Sequence, residues 1–126
     1  MQPAPQAKAT SPEAQVVTKA VLRAADHLGV SNAALARILG LSDATVSRMR
    51  NHTYQLSPSD KAFELGVLFI RLYRSLDSIT GGEAEVARAW LRNRNTVLDG
   101  RPLDQIQTII GLTHAIQYLD SRRAVV

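Results

Sequence analysis

Apolar residues recur at helical spacing along most of the chain, and no stretch of useful length shows the alternation expected of a β-strand. Ser11 followed by Pro12 is a typical helix start, and Gly29 is a typical helix end. Further helices are predicted from Ser31 or Asn32, Ser42, Ser57-Pro58, Glu83 and Pro102, before a last helix carrying Leu112, Ile116 and Leu119. The helix from Pro102 is expected to end at Gly111 and to use Ile109 and Ile110 in its apolar repeat. We therefore predict an all-α fold.

Residues 35 to 51 have the pattern of two short helices joined by a tight turn. Gly40 tolerates the positive φ at which helices commonly end, and Ser42 is a suitable N-cap for the second helix. Ala36 leaves room for two helices that cross closely at about 90 to 120°. The inner positions of the pair are apolar: Leu35, Leu39, Leu41, Val46 and Met49. An ordinary pair of amphipathic helices would not need all these matches, so the pattern favours a helix-turn-helix whose second helix enters the major groove of DNA.

The run from Ser42 to Arg48 resembles the recognition helices of bacterial repressors, and the whole unit resembles the Xre/Cro helix-turn-helix family. The resemblance places Asp43, Ala44 and Arg48 at base edges, where a guanidinium suits guanine O6 and N7. Asp43 and Ala44 depart from the amides and aromatic side chains that many relatives carry there. The remaining polar positions are expected to contact DNA phosphates: Ser42, Thr45, Ser47, Arg50, Asn51 and Lys61.

The fourth predicted helix, from about Pro58 to Ser78, is apolar on more than one face. One small DNA-binding bundle cannot cover all of it, so it joins the first unit to a second one or supports a self-dimer. A homodimer would present two recognition helices about one DNA turn apart. We expect a flexible N-terminal arm at residues 1–11, a DNA-binding and dimerisation region at 12–78 and a second helical unit at 79–126.

The second unit resembles the toxin-binding domain shared by Xre, MbcA and ParS antitoxins. The resemblance is carried by Trp90-Leu91, Asn95, Leu98, Gly100, Pro102-Leu103-Asp104 and Gly111. Such antitoxins are dimers that bind their own operator with one end and block a RES-domain toxin, which depletes cellular NAD, with the other. The small helical toxin-binding domain is therefore expected to follow an Xre/Cro-like bundle.

The same resemblance implies that the C-terminal helix covers the toxin's cofactor cleft, where basic residues take the place of nucleotide phosphates. Arg122 and Arg123 match that position, and Tyr118, Asp120 and Ser121 lie on the same final turns. On the residues alone, the two arginines fit equally well a solvated helix end that the helix dipole favours. Trp90 is assigned to packing, because it lies at helical spacing with apolar neighbours.

Composition narrows the function further. The chain has 126 residues, 45% of them hydrophobic, and a net charge of +4, which permits contacts with phosphates without proving them. It has no cysteine, and His27, His52 and His114 are scattered, so we expect no enzyme, no cofactor and no metal site. No apolar run is long enough for a membrane span or an export signal, so we expect a cytoplasmic protein without a membrane partner.

The sequence is therefore compatible with two functions. The first is an antitoxin that neutralises a cognate RES-domain toxin and autoregulates its operon by binding operator double-stranded DNA. The second is a free-standing dimeric repressor without a toxin partner. Both predict DNA binding, but only the first predicts a complex with the product of a neighbouring gene.

Overall fold

A computed structural model describes residues 11 to 124, and this part of the chain forms seven helices, as the predicted all-α fold requires. They are α1 (Pro12–Leu28), α2 (Asn32–Leu39), α3 (Asp43–Arg50), α4 (Lys61–Ile79), α5 (Ala84–Arg92), α6 (Pro102–Gln105) and α7 (Ile109–Ala124). None of the described helices has both the length and the apolar character that crossing a bilayer requires. Apart from Ser11, the predicted arm at residues 1–11 lies outside the described residues, as do the last two residues of the predicted second unit.

The first three helices begin after predicted capping residues, and α1 and α2 end at the predicted glycines. The hydroxyls of Ser11, Ser31 and Ser42 each accept a hydrogen bond, at 3.0 to 3.1 Å, from the backbone N–H three residues further on. Gly29 and Gly40 close α1 and α2 with φ angles of 66° and 71°. These local hydrogen bonds satisfy donors and acceptors that a helix end leaves free, so they set the boundaries of the helix-turn-helix.

Helix α4 is the centre of the molecule. It packs against α7 and against α1, with further contacts to α2 and α5, so the prediction that this helix is buried on more than one side is confirmed. Its buried side chains include Leu65, Phe69, Leu72 and Leu76, and they belong to one continuous core to which every helix of the described chain contributes or packs. The two regions predicted from the sequence therefore share a core, and α4 runs without a break through residue 78.

Helix α4 begins three residues later than its predicted start at Pro58. The backbone N–H of Asp60 donates to the carbonyl oxygen of Ser57 at 2.9 Å, so this segment is a tight turn. Asp60 then has the extended conformation of an N-cap, and the first helical residue is Lys61. The turn brings Leu56 into the core beside Gly66, where α1 and α4 approach closely.

The prediction of a helix from Pro102 to Gly111 is wrong. Helix α6 ends at Gln105, and a new helix, α7, begins at Ile109. The backbone N–H of Gly111 donates to the hydroxyl of Thr108 at 3.0 Å, which holds the first turn of α7. A Cβ atom on Gly111 would collide with the backbone carbonyl of Gln105. The glycine is therefore explained by close approach of two backbone segments and does not end a helix.

This change of helix boundary turns two apolar side chains outward. Ile109 and Ile110, which the predicted repeat placed inside, are 59% and 70% exposed. Leu112, Ile116 and Leu119 are buried, as predicted for the last helix. The first turn of α7 is thus apolar at the surface, whereas its later turns pack against α4.

Candidate functional site

Helices α2 and α3 form the predicted helix-turn-helix. Ala36 is buried, as are Val46 and Met49 on the inner side of α3. The opposite side of α3 faces solvent and carries the predicted DNA contacts Ser42, Asp43, Ala44, Ser47, Arg48 and Asn51, with Thr45 half-buried beside them. A short helix with one packed side and one open side has the geometry needed to enter a major groove.

Two hydroxyls at the start of α3 are engaged within the protein. The Oγ of Ser42 caps the helix by accepting from the backbone N–H of Thr45 at 3.1 Å, and the two hydroxyl oxygens lie 2.9 Å apart. The Oγ1 of Thr45 also accepts from Nη2 of Arg48 at 3.0 Å. Because this bond runs back along the helix, it holds the exposed guanidinium against the N-terminal half of α3.

Arg50, a predicted phosphate contact, ties α3 to the rest of the domain. Its Nη1 donates to Oδ1 of Asp26 in α1 at 2.7 Å, and its Nε donates to Oδ1 of Asn32 in α2 at 3.2 Å. At 100° per residue, position 50 lies about 200° around the helix from Arg48, so its side chain is directed towards the protein. The side of α3 that carries Arg48 remains open to solvent.

The remaining predicted phosphate contacts lie at the edges of this surface. Asn51 is the exposed C-cap of α3, and Lys61 is the first residue of α4. The ammonium of Lys61 lies 3.4 Å from Oε1 of Glu64, and both side chains are largely open to solvent. An exposed pair of this kind is weak, so Lys61 is able to exchange its carboxylate partner for a phosphate.

The five predicted toxin contacts on α7 fall on two sides of the helix. The carboxylate of Asp120 accepts from Arg71 Nη2 at 2.5 Å and from Ser75 Oγ at 2.7 Å, and Arg123 Nη1 donates to Ser75 Oγ at 3.1 Å. The hydrogen bond from Ser75, followed by the interaction with Arg71, lowers the pKa of Asp120 from its ordinary value. Asp120 and Arg123 therefore fix α7 to α4.

Tyr118, Ser121 and Arg122 share the other side of α7. The ring of Tyr118 is half-buried and stacks on Trp90, with 6.4 Å between the ring centroids and 12° between the planes. Ser121 donates to the backbone carbonyl of Tyr118 at 2.7 Å, and Arg122 is exposed on the last described turn. Trp90 packs against the core, as predicted, and holds Tyr118 at the surface.

One arginine that the sequence reasoning missed connects the two units. Arg88 in α5 donates from Nε to the carbonyl oxygen of His27 at 2.9 Å and from Nη2 to that of Asp26 at 2.8 Å. These carbonyls end α1, where the helix dipole favours a cation. The contact spans about sixty residues of chain, so no local pattern signals it. A side chain at position 29 would crowd this contact, because a Cβ atom on Gly29 would lie 3.1 Å from Nε of Arg88.

A surface groove in the second unit was also missed, because the helical repeat placed Ile110 inside. The groove has a volume of about 720 Å³, and its lining includes Val97, Ile110 and Tyr118. Between residues 11 and 124, no three histidine, aspartate or glutamate side chains come together to hold an ion.

Two family models match the chain. Residues 13–71 match the family model described as the antitoxin Xre-like helix-turn-helix domain. Residues 75–124 match the model described as the antitoxin Xre/MbcA/ParS C-terminal toxin-binding domain. A search of curated proteins finds no match. The chain is therefore a DNA-binding antitoxin of a toxin-antitoxin system. Among such proteins it belongs to the Xre-type antitoxins.

Proposed function

We propose that this antitoxin neutralises a RES-domain toxin that depletes NAD, and that it does so by covering the toxin's cofactor cleft with the end of α7. The observation that carries this proposal is the match of residues 75–124 to an antitoxin toxin-binding domain. The RES chemistry of the partner follows from the family resemblance of the second unit. A homodimer of the same chain represses its own operon through α3.

The exposed side of α7 supports the toxin half of the proposal. Tyr118, Ser121 and Arg122 are on the side that is not packed on α4, so they are available to a partner without unfolding the helix. Asp120 and Arg123 act indirectly, since their bonds to Ser75 hold the helix end in place. Arg122 is the side chain that enters the cleft.

The exposed side of α3 supports the DNA half. Arg48 reads a base edge, and Ala44 and Asp43 lie beside it. A carboxylate at position 43 accepts from cytosine N4 and repels phosphate, so it favours one base while lowering general affinity. The DNA phosphates are contacted by the polar residues around this surface: Ser42, Thr45, Ser47, Asn51 and Lys61.

The alternative function, a free-standing dimeric repressor, needs only the helix-turn-helix and a dimer interface. It leaves the second unit without a partner, although this unit matches a toxin-binding domain over fifty residues. The match favours the antitoxin function. One experiment distinguishes the two functions, because only an antitoxin restores the NAD content of cells that express a neighbouring toxin gene.

That experiment expresses the adjacent gene alone, with the wild-type chain and with the variant Arg122→Glu, and measures cellular NAD. We expect NAD to fall with the adjacent gene alone and to be restored by the wild-type chain. Arg122→Glu is expected to protect poorly while it retains operator binding. The charge-reversal control is Arg23→Glu, an exposed position on α1 that is expected to protect fully.

A truncation before Tyr118 is a less suitable test, because it would also remove the buried Leu119 from the core. Unchanged NAD when the adjacent gene is expressed alone, or full protection by Arg122→Glu, would contradict the proposed mechanism. The homodimer is tested separately by light scattering, with an expected mass of twice the 13.8 kDa of the chain. A mass of 13.8 kDa in that measurement would contradict it.

A further inference from the structure

Three large apolar side chains of the second unit are open to solvent. Val97, in the loop before α6, is 69% exposed, and Ile109 and Ile110 in the first turn of α7 are 59% and 70% exposed. The first turn of a helix ordinarily carries polar or acidic residues, which suit its free N–H groups and its dipole. Two consecutive isoleucines at this place contribute little to the helix or to the core.

Val97 and Ile110 both line the surface groove of the second unit, although they lie thirteen positions apart in the chain. Leu98 and the ring of Tyr118 complete its apolar lining. The polar side chains along the groove are Gln105, Thr108, His114 and Gln117, and none of its lining residues is an aspartate, glutamate, lysine or arginine. The groove is thus an apolar surface with a few hydrogen-bonding side chains along it.

The walls of the groove are held by contacts within the chain. The amide of Gln105 donates to the carbonyl oxygen of Leu98 at 2.7 Å, which fixes the loop against α6. Trp90 stacks on Tyr118 from the other side. Gly111 allows the close approach of α6 to the start of α7. A partner therefore meets a preformed surface, which reduces the entropy lost on binding.

We propose that this groove, together with the neighbouring Ile109, is the main docking surface for the toxin and takes an uncharged apolar segment of it. The inference rests on the proposed function and adds a second contact area to the end of α7. The groove lies entirely within residues 75–124, the segment that matches a toxin-binding domain. It is continuous with the end of α7, because Tyr118 lines the groove and also shares a side of the helix with Arg122.

The chemistry of the groove disfavours DNA as its occupant, because affinity for DNA depends on lysines and arginines that neutralise phosphates and the lining has neither. Apolar patches of this kind mark protein interfaces, and buried aliphatic and aromatic anchors supply much of their binding energy. Arg122 then blocks the cleft, while Ile110 and Val97 supply the affinity. The two roles predict different effects of substitution.

The test measures the affinity of the purified adjacent gene product for the wild-type chain and for Ile110→Glu and Val97→Glu. A glutamate in the first turn of α7 is favoured by the helix dipole, so Ile110→Glu is expected to fold, as checked by circular dichroism and operator binding. We expect each variant to bind the toxin at least about tenfold more weakly than the wild type. The matched control is Val16→Glu on α1, since Val16 is also exposed and lies outside the second unit; it is expected to bind as the wild type does.

Wild-type affinity in both Ile110→Glu and Val97→Glu overturns the inference, even when the wild-type chain binds the toxin and Arg122→Glu fails to protect NAD. That outcome leaves the proposed function standing. A change in the mass of the antitoxin alone, with toxin affinity unchanged, assigns the groove to contacts between copies of this chain and also overturns the inference. If the wild-type chain does not bind the adjacent gene product at all, both proposals fail.

Discussion

Arg50, the last residue of α3, donates a hydrogen bond to the carboxylate of Asp26 in α1 at 2.7 Å. The backbone carbonyl of the same Asp26 accepts from Arg88 of the second unit at 2.8 Å. One residue at the end of α1 thus contacts both the DNA-binding helix and the toxin-binding unit. The orientation of α3 in this antitoxin depends on contacts that lie outside the helix-turn-helix itself.

The ion pair between Asp26 and Arg50 predicts a small effect on stability and a larger one on DNA binding. Asp26→Ala is expected to lower the free energy of unfolding by about 0.5 kcal/mol, because the pair is partly exposed. Operator affinity should fall by a similar factor for every operator sequence, since α3 loses its anchor and no base contact is removed. Urea unfolding and fluorescence anisotropy measure the two effects. The control is Glu85→Ala, an exposed acid on α5; an equal loss of DNA binding there would contradict the anchor role.

Base reading by Arg48 predicts a change in sequence preference. Arg48→Ala is expected to weaken operator binding by about 1 to 3 kcal/mol and to relax the preference at one base pair. Lys61→Ala should weaken binding to all operator sequences alike. It should also reduce the slope of log affinity against log salt concentration by about one. The affinities of Arg48→Ala and Lys61→Ala for a set of single-base operator variants, measured at two salt concentrations, distinguish the two effects. The same pattern of losses in both variants would argue against a base contact by Arg48.

The close approach of Arg88 to Gly29 predicts different costs for alanine at two glycines. Gly29 and Gly81 have almost the same φ, 66° and 65°, but a Cβ at Gly29 meets Arg88 whereas one at Gly81 meets nothing within 4 Å. Gly81→Ala is expected to cost about 1 kcal/mol from backbone strain alone. Gly29→Ala should cost more, because the guanidinium must move from the end of α1. Equal unfolding free energies for the two variants would show that the Arg88 contact adds little.

The lowered pKa of Asp120 predicts a pH-dependent contribution to stability. The bond from Ser75 and the charge of Arg71 stabilise the carboxylate, so its folded pKa lies below the ordinary 3.8. The contribution is present at pH values above 3.8 and is lost as pH falls through the folded pKa. Asp120→Asn should therefore lower the thermal midpoint at pH 7, and the difference from the wild type should shrink as the pH falls below 3.8.

Thermal unfolding at several pH values measures this effect, with Glu85→Gln as the control at an exposed carboxylate of α5. The control is expected to unfold near the wild-type midpoint at each pH. A constant difference between Asp120→Asn and the wild type from pH 7 to pH 3 would mean that the ionised carboxylate does not hold α7 on α4.

Some sequence expectations for the second unit were wrong for one physical reason. Helical spacing alone cannot tell a helix that continues from one that stops and restarts, because both bring apolar residues back every three or four positions. The segment from Pro102 to Gly111 does restart, and the close approach of Gly111 to the carbonyl of Gln105 at this break exists only in the folded chain. The exposure of Ile110, and with it the groove, follows from that break.

The sequence by itself determined the elements whose causes lie within a few residues. Ser11, Ser31 and Ser42 cap their helices, and Gly29 and Gly40 end them, because these hydrogen bonds and backbone angles are local. It also determined the inner side of the helix-turn-helix and the order of the two units.

Only the tertiary structure decided which arginines of this antitoxin are tied to another helix. Arg50 is bound to Asp26 of α1 and Arg123 is bound to Ser75 of α4, whereas Arg48 donates to Thr45 of its own helix and Arg122 is exposed on the last described turn. All four are arginines near helix ends, so their local sequence does not distinguish them. Asp26 and Ser75 are tens of residues away from the arginines that they bind, and the packing of α1 and α4 against their neighbours determines which arginines meet a partner on another helix.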